Sequence, residues 1–342
     1  MKTAPINRPV GDTAGTTMKA IVQDTYGSSP EEVLRLAEVQ MPTIGDGEVL
    51  VRVTAASVDR GTVHVMTGLP FAMRFAGFGV RAPKALNPGR CVAGTVDMVG
   101  KDVSEFAPGD EVYGTCTGSF AEYAVAEPGK LALKPGNLSF ERAAAAPISG
   151  VTALQAVRDQ AKVEPGLKIL VIGASGGVGT FAVQIAKAFG GEVTGVSSTS
   201  KMDLVGGLGA DHVVDYTKGE FLTGKVQYDV ILDTGGNSPL PDLRRALTPV
   251  GTLVIVGGET DGWAMLGMGR QVRALLQSAT TKQKLAMLVS KENSDDLIAL
   301  SKLIESGQVA PAVDRTFSLA ETPTAIRYVH EGRARGKIVI AV

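Results

Sequence analysis

Cysteine, histidine and tryptophan are scarce in this chain, at two, three and one among 342 residues. Two cysteines, Cys91 and Cys116, build no disulfide framework and read as reduced thiols in a cytosolic protein. An excess of charge is missing too. Lys and Arg total 34 against 35 Asp and Glu, a net charge of −1, so composition points to neither a nucleic-acid nor a membrane partner. No apolar run approaches the roughly 18 residues of a membrane span. Residues 1–17 lack the apolar stretch of a signal peptide and read as a flexible tail before Met18. These features lead to the expectation of a soluble, cytoplasmic globular protein. Glycine, by contrast, is plentiful: 42 residues, against an average share of about 7%. That richness suits a turn-rich α/β protein, and the length allows two domains.

From Met18 the pattern is short strands between turns: 19–23, 34–39, 48–54, 90–99, 111–115, 120–125 and 130–133. Helical periodicity is lacking there, so this part reads as a barrel-like β domain. The style changes at Ser139, which offers an N-cap for a helix interrupted by Pro147 and resumed over 152–160. Strand–helix alternation follows to about residue 256, predicting a parallel, doubly wound sheet. Helices are expected over 270–276, 281–289 and 295–306, then strands at 315–319 and 337–342 flanking a helix over 322–331.

At the centre lies Lys168-Ile-Leu-Val-Ile-Gly-Ala-Ser-Gly-Gly-Val-Gly179. Ile169 to Ile172 is the apolar run of a strand buried on both faces. Beyond the glycines, Val178, Phe181, Ala182, Ile185, Ala186 and Phe189 share one helix face. Strand, glycine turn and helix open a dinucleotide-binding βαβ unit, although the spacing is G-x-x-G-x-x-G rather than G-x-G-x-x-G. Gly173, Ser175, Gly176, Gly177, Val178 and Gly179 are therefore expected to hold a cofactor pyrophosphate. NAD-binding units end the second strand on an acidic residue that bonds the ribose hydroxyls. Here that position is Ser197, followed by Ser198, Thr199, Ser200 and Lys201. A carboxylate repels a 2′-phosphate, whereas hydroxyls and an ammonium bind it, so the cofactor expected is NADP(H).

Several motifs together resemble the medium-chain dehydrogenase/reductase superfamily, in its zinc-independent, quinone-oxidoreductase-like branch. They are Ala55-Ala-Ser-Val-Asp59, Gly94-Thr-Val-Asp-Met-Val-Gly100, Phe106-Ala-Pro-Gly-Asp-Glu-Val-Tyr-Gly114 and Gly118-Ser-Phe-Ala-Glu-Tyr123. To these add Gly150-Val-Thr-Ala-Leu-Gln155, the Gly173–Gly179 loop, Gly209-Ala-Asp-His-Val-Val-Asp-Tyr216 and Gly336-Lys-Ile-Val-Ile340. The resemblance implies an α/β fold with a Rossmann sheet inserted into a GroES-like β-barrel domain, an interdomain cleft and a homodimer. The expected boundaries are 18–145 with 288–342 for the GroES-like domain, and 146–287 for the Rossmann domain. It further implies that Lys201 and Tyr216 line the adenosine end, and that Thr152 and the Val256-Gly-Gly258 turn flank the nicotinamide. Asp233 is expected at a strand's carboxyl end beside the cofactor.

Zinc-dependent relatives carry a catalytic cysteine where this chain has Val58 or Asp59, and a four-cysteine lobe where 94–113 has no cysteine. A catalytic zinc needs three N, S or O ligands in open tetrahedral geometry, and the spacing of Asp59, His64 and Cys91 does not suggest one; no metal is expected. Where the family usually has Ser-Val-Asn-Pro, this chain has Ser57-Val-Asp-Arg60, with His64 five residues beyond Asp59. Histidine donates a proton near neutral pH, so Asp59 and His64 are the catalytic candidates. The function expected is hydride transfer from NADPH to a quinone, enone or similar activated carbonyl. The alternatives are alcohol/aldehyde interconversion and nucleotide binding without turnover. The apolar Trp263–Leu276 segment reads equally as a cleft cover or a dimer contact.

Overall fold

The computed structural model describes residues 15–342 apart from 72, 237 and 258–268. In chain order the first part runs β1 (Thr17–Gln23), α1 (Pro30–Val33), β2 (Leu34–Gln40), β3 (Val49–Val58), α2 (Arg60–Thr67), β4 (Cys91–Val99), β5 (Glu111–Thr115), β6 (Tyr123–Ala126), β7 (Leu131–Leu133) and α3 (Phe140–Ala144). The middle runs α4 (Pro147–Leu154), β8 (Lys168–Ile172), α5 (Gly177–Ala188), β9 (Glu192–Ser197), α6 (Met202–Gly207), β10 (His212–Asp215), β11 (Tyr228–Asp233), α7 (Leu240–Ala246), β12 (Leu247–Ile255), α8 (Gly269–Ser278) and β13 (Lys284–Met287). It closes with α9 (Ser294–Glu305), β14 (Val313–Ser318), α10 (Thr322–His330) and β15 (Lys337–Ala341).

Two main sheets divide the work. The first has the order β14-β15-β3-β4-β5-β7, with β6 also on β3. β3 is its spine, and register shifts at Leu50/Val51 and Val53/Ala55 let it bend between two partners. Alternation sets Val49, Val51 and Val53 inward against Val92, Val96 and Val112. The far end of the chain completes the sheet: Ile338 pairs with Val58 and Ile340 with Ala56, antiparallel.

The second sheet is wholly parallel, in the order β10-β9-β8-β11-β12-β13. β8 is buried on both faces, as its unbroken apolar run requires. Ile169 and Val171 pack with Phe181, Ile185 and Leu300, whereas Leu170 and Ile172 pack with Leu243 and Leu253. Each such fully buried side chain contributes roughly 1.5–3 kcal/mol. The strand order reverses between β8 and β11, and that crevice is where a doubly wound sheet receives its ligand. The architecture is thus a Rossmann sheet joined to a GroES-like β domain, in agreement with the sequence.

Three local expectations fail. Residues 281–289 do not form a helix. Lys284–Met287 instead pairs in parallel with Thr252–Ile255 as the edge strand β13, because a short apolar run has no period of its own and the neighbouring strand decides. The β-rich part contains helix α2, capped by Asp59. Pro147 does not interrupt a helix but starts α4, where its missing N–H costs nothing.

Candidate active site

The glycine loop runs from the carboxyl end of β8 to the start of α5. Gly173 has φ +79°, and a Cβ there would lie 2.7 Å from the Thr234 hydroxyl. A Cβ on Gly179 would lie 2.0 Å from the Gly173 carbonyl oxygen, so both glycines are needed to close the loop on itself. Gly176 differs, since an added Cβ would meet only Gly173 O, at 3.3 Å. It is the N-cap of α5, and no side chain caps that helix. The first-turn N–H groups of Gly177, Val178 and Gly179 are therefore left to an anion, which fits a pyrophosphate. Gly336 N donates to Ser175 O at 2.9 Å, so the start of β15 closes one side of the loop.

At the expected adenosine end, β9 finishes on buried Ser197, whose hydroxyl donates to Ser198 O at 3.3 Å. Tyr216 N donates to Ser197 O at 3.2 Å, which places this exposed tyrosine beside the strand end. The nearby carboxylate, Asp215, is held by the hydroxyls of Thr199 at 2.5 Å and Thr217 at 2.6 Å, and these bonds keep it below the usual carboxylate range. Lys201 Nζ donates to Gly332 O at 2.9 Å and Ala334 O at 2.8 Å. Burial holds its pKa below the usual lysine value, opposed by Asp314 and reinforced by Arg335. Lys201 therefore stands at the expected end of the crevice with part of its donor capacity already bound.

At the other end, the Asp233 side chain is fully buried and its partners are protein groups. Oδ1 accepts from Gly236 N at 2.9 Å, and Oδ2 is ion-paired with Arg270. Its carbonyl accepts from Val256 N at 2.9 Å and Gly257 N at 3.3 Å. Asp233 thus shapes the carboxyl edge of β11 and β12. Thr152 lies buried on α4. Gly258 and residues 263–268 of the Trp263–Leu276 segment fall outside the described residues; the remainder begins α8 and exposes Leu275 and Leu276.

In the β domain, Asp59 is the N-cap of α2. Its Oδ1 accepts from Thr62 N at 3.0 Å, and Thr62 Oγ1 accepts from Asp59 N at 3.4 Å. The Cys91 thiol donates to Asp59 Oδ2 at 3.6 Å. Burial, with Asp59 beside it, pushes the Cys91 thiol up to about 12. His64, on the same helix, has Nδ1 2.6 Å from Leu69 O. Among the described residues, no three His, Cys, Asp or Glu side chains gather into a metal-binding group.

The sequence reading missed Arg90 and Glu292. Arg90 precedes β4 and forms an ion pair with Glu292, in the stretch after β13, with side chains 32% and 24% exposed. Thr115 Oγ1 donates to the other Glu292 oxygen at 2.9 Å. These residues are far apart in sequence, and no spacing could have joined them.

The chain is similar to known proteins in sequence and in fold. Residues 45–136 match the family described as alcohol dehydrogenase GroES-like domain, and residues 208–340 match the one described as zinc-binding dehydrogenase. The NAD(P)H oxidoreductase RTN4IP1, mitochondrial, of Mus musculus is 34% identical over 96% of this chain and 90% of its own length. The NADPH-dependent alkenal/one oxidoreductase, chloroplastic, of Arabidopsis thaliana is 32% identical over 94% of this chain and 79% of its own. Among solved structures, the quinone oxidoreductase from Coxiella burnetii superposes with a TM-score of 0.83 at 28% identity, covering 96% of this chain and all of the other. The fold and crevice are those of a nicotinamide-dependent oxidoreductase. The chain belongs to the medium-chain dehydrogenase/reductase superfamily, in its quinone-oxidoreductase-like branch.

Proposed function

We propose that the protein is an NADPH-dependent reductase that delivers hydride, without zinc, to a quinone, an enone or a related activated carbonyl. The observation that carries the cofactor choice is the end of β9. A serine stands where a 2′-hydroxyl-binding carboxylate would stand, and Ser198 and Lys201 follow. Gly173, Ser175, Gly176, Gly177, Val178 and Gly179 would hold the pyrophosphate, and Ser197, Ser198, Lys201 and Tyr216 the adenosine phosphate. Thr152, Gly257 and the edge built by Asp233 would receive the nicotinamide, which supplies the hydride when bound. Relatives named for alkenals, enones and quinones support the acceptor class.

For the metal, the donor set argues against a fit. The Cys91 thiol is fully buried and donates its hydrogen to Asp59 Oδ2, and Asp59 is committed to capping α2. A zinc ligand must be deprotonated and open to the metal. His64 and Asp59 line the acceptor side. His64→Phe decides whether a side-chain acid takes part: a loss of about 100-fold in turnover at saturating NADPH makes it the proton donor, and unchanged turnover removes it.

The functional domains are taken as 18–145 with 288–342, and 146–287, in a cytoplasmic homodimer. The free edge of β13, paired only with β12 among the described residues, suits a second copy.

The test is to follow NADPH absorbance with 1,4-benzoquinone, a 2-alkenal and a saturated aldehyde. Oxidation with the first two supports the reading. Oxidation with only the saturated aldehyde favours an alcohol dehydrogenase, and NADPH binding without any oxidation favours a non-catalytic nucleotide binder.

A further inference from the structure

We propose that Arg90 is the group that binds the acceptor's carbonyl oxygen and stabilises the negative charge that develops there, with Glu292 and Thr115 as its positioning residues. The inference rests on the reductase reading and names the electrophilic partner that Asp59 and His64 leave unassigned.

Three observations place the guanidinium. First, it lies beside the capped start of α2: a Cβ on Gly61 would be 3.8 Å from Arg90 Nη1 and 2.9 Å from Asp59 Oδ1. Second, it is anchored from the opposite side. Glu292 holds it, and Lys291, next in the chain, exchanges two hydrogen bonds with Gln155, at 2.7 Å and 3.0 Å. Gln155 lies one residue past α4, the helix that carries Thr152. Third, the Cys91 thiol beside it accepts from the Ile148 N–H in the first turn of that same helix. Arg90 therefore stands where the β domain, α4 and the stretch after β13 converge, with about a third of its side chain exposed.

Its pairing is incomplete in a telling way. A guanidinium carries five N–H donors in a fixed plane, and among the described residues Arg90 has one acceptor residue, Glu292. One face of the fork is thus fixed by a carboxylate that Thr115 orients, and donors remain for a ligand oxygen. Such preorganised donors act on charge that appears during reaction without having to reorient. In a 2-alkenal the β-carbon gains hydride with its electron pair. The π electrons then move onto the carbonyl oxygen, where Arg90 meets the enolate charge, and the α-carbon takes a proton from water. The alkenal is reduced by two electrons and NADPH is oxidised by two.

Arg90→Met and Arg90→Lys, with Glu292→Gln, test this. With a 2-alkenal, kcat/KM is expected to fall roughly 100-fold in Arg90→Met, with NADPH affinity by fluorescence titration unchanged. Arg90→Lys should recover part of the loss, and Glu292→Gln should lower kcat more than it raises KM. A second readout needs no turnover. 4-Nitrophenol added to the NADP⁺-saturated enzyme below its own pKa should bind as the coloured phenolate in the wild type and remain neutral in Arg90→Met. An active wild type with unchanged kcat/KM in Arg90→Met, or an equal phenolate signal in both, overturns the role of Arg90. A loss confined to NADPH affinity also overturns it, since Arg90 would then only join the domains. A wild type that oxidises NADPH with no acceptor but shows the Arg90-dependent phenolate signal overturns the reductase reading and leaves the anion site standing.

Discussion

Lys201 Nζ donates a hydrogen bond to the carbonyl of Ala334 at 2.8 Å, tying the end of the β9 turn to the loop that leads into β15. The residue expected to meet a 2′-phosphate is thus also a clasp between the nucleotide-binding sheet and the chain's last strand. Arg335 adds a second tie, with both Nη2 contacts to Asp203 at 2.7 Å. Replacing Lys201 by Met should therefore do two things at once. It should raise the KM for NADPH by at least tenfold, and it should lower the Tm by a few degrees even without cofactor. A change in KM without any change in Tm would show that the clasp contributes nothing to stability.

Cofactor preference has a cleaner test at Ser198, which begins the turn after β9. Ser198→Asp sets a carboxylate beside the expected 2′-phosphate. Repulsion worth about 1.4 kcal/mol is a tenfold change. The ratio of kcat/KM for NADPH over NADH is expected to fall by at least that factor, and an unaltered ratio would place the phosphate elsewhere.

The cap on α2 separates structure from chemistry at Asp59. Asn caps a helix about as well as Asp, and Ala does not. Asp59→Asn should keep the Tm near that of the wild type, whereas Asp59→Ala should destabilise by about 1 kcal/mol in denaturant unfolding. If Asp59→Asn also keeps its turnover with 1,4-benzoquinone, the carboxylate charge is not needed for hydride transfer.

Gly179→Ala forces a methyl group against the Gly173 carbonyl oxygen, 2.0 Å from where the Cβ must sit. The loop must open. The expected cost is about 1–3 kcal/mol of stability, with NADPH affinity lowered at least tenfold in a fluorescence titration. Gly176→Ala, facing only a 3.3 Å contact, should be the milder change in stability.

The two thiols offer a test by pH. Burial raises the pKa of both Cys91 and Cys116, so the folded state favours their neutral forms. For Cys91 the shift runs from 9.0 to about 12. The stability it contributes is fully present below pH 9 and is lost as pH rises toward 12. Accordingly, a thiol-reactive disulfide reagent at pH 8 should find at most one fast-reacting cysteine in the native protein, the half-buried Cys116, and two in denaturant. Rapid native labelling of Cys91 would contradict its burial.

Much of this protein was legible in its sequence because the signals were local. The apolar run Ile169–Ile172, the four glycines after it and the one-sided helix beyond needed nothing from elsewhere in the chain. Ser197, at the end of the next strand, was equally readable, as was Ser139 as a cap. Where a segment's own pattern was ambiguous, the tertiary structure chose. Lys284–Met287 became a strand because β12 offered it a free edge, and α2 formed where an Asp–Thr capping box and packing against α10 outweighed a β-rich context. The long-range charge pairs were beyond sequence altogether. Arg90 meets Glu292 across 202 residues, and Asp233 meets Arg270 across 37. Charge pairs of that separation leave no periodic or spacing signal; only tertiary packing brings such groups together. Sequence alone determined the glycine loop and the strand and helix that flank it. The partners of the charged residues around it, and so which of them remain for a substrate, were decided by packing.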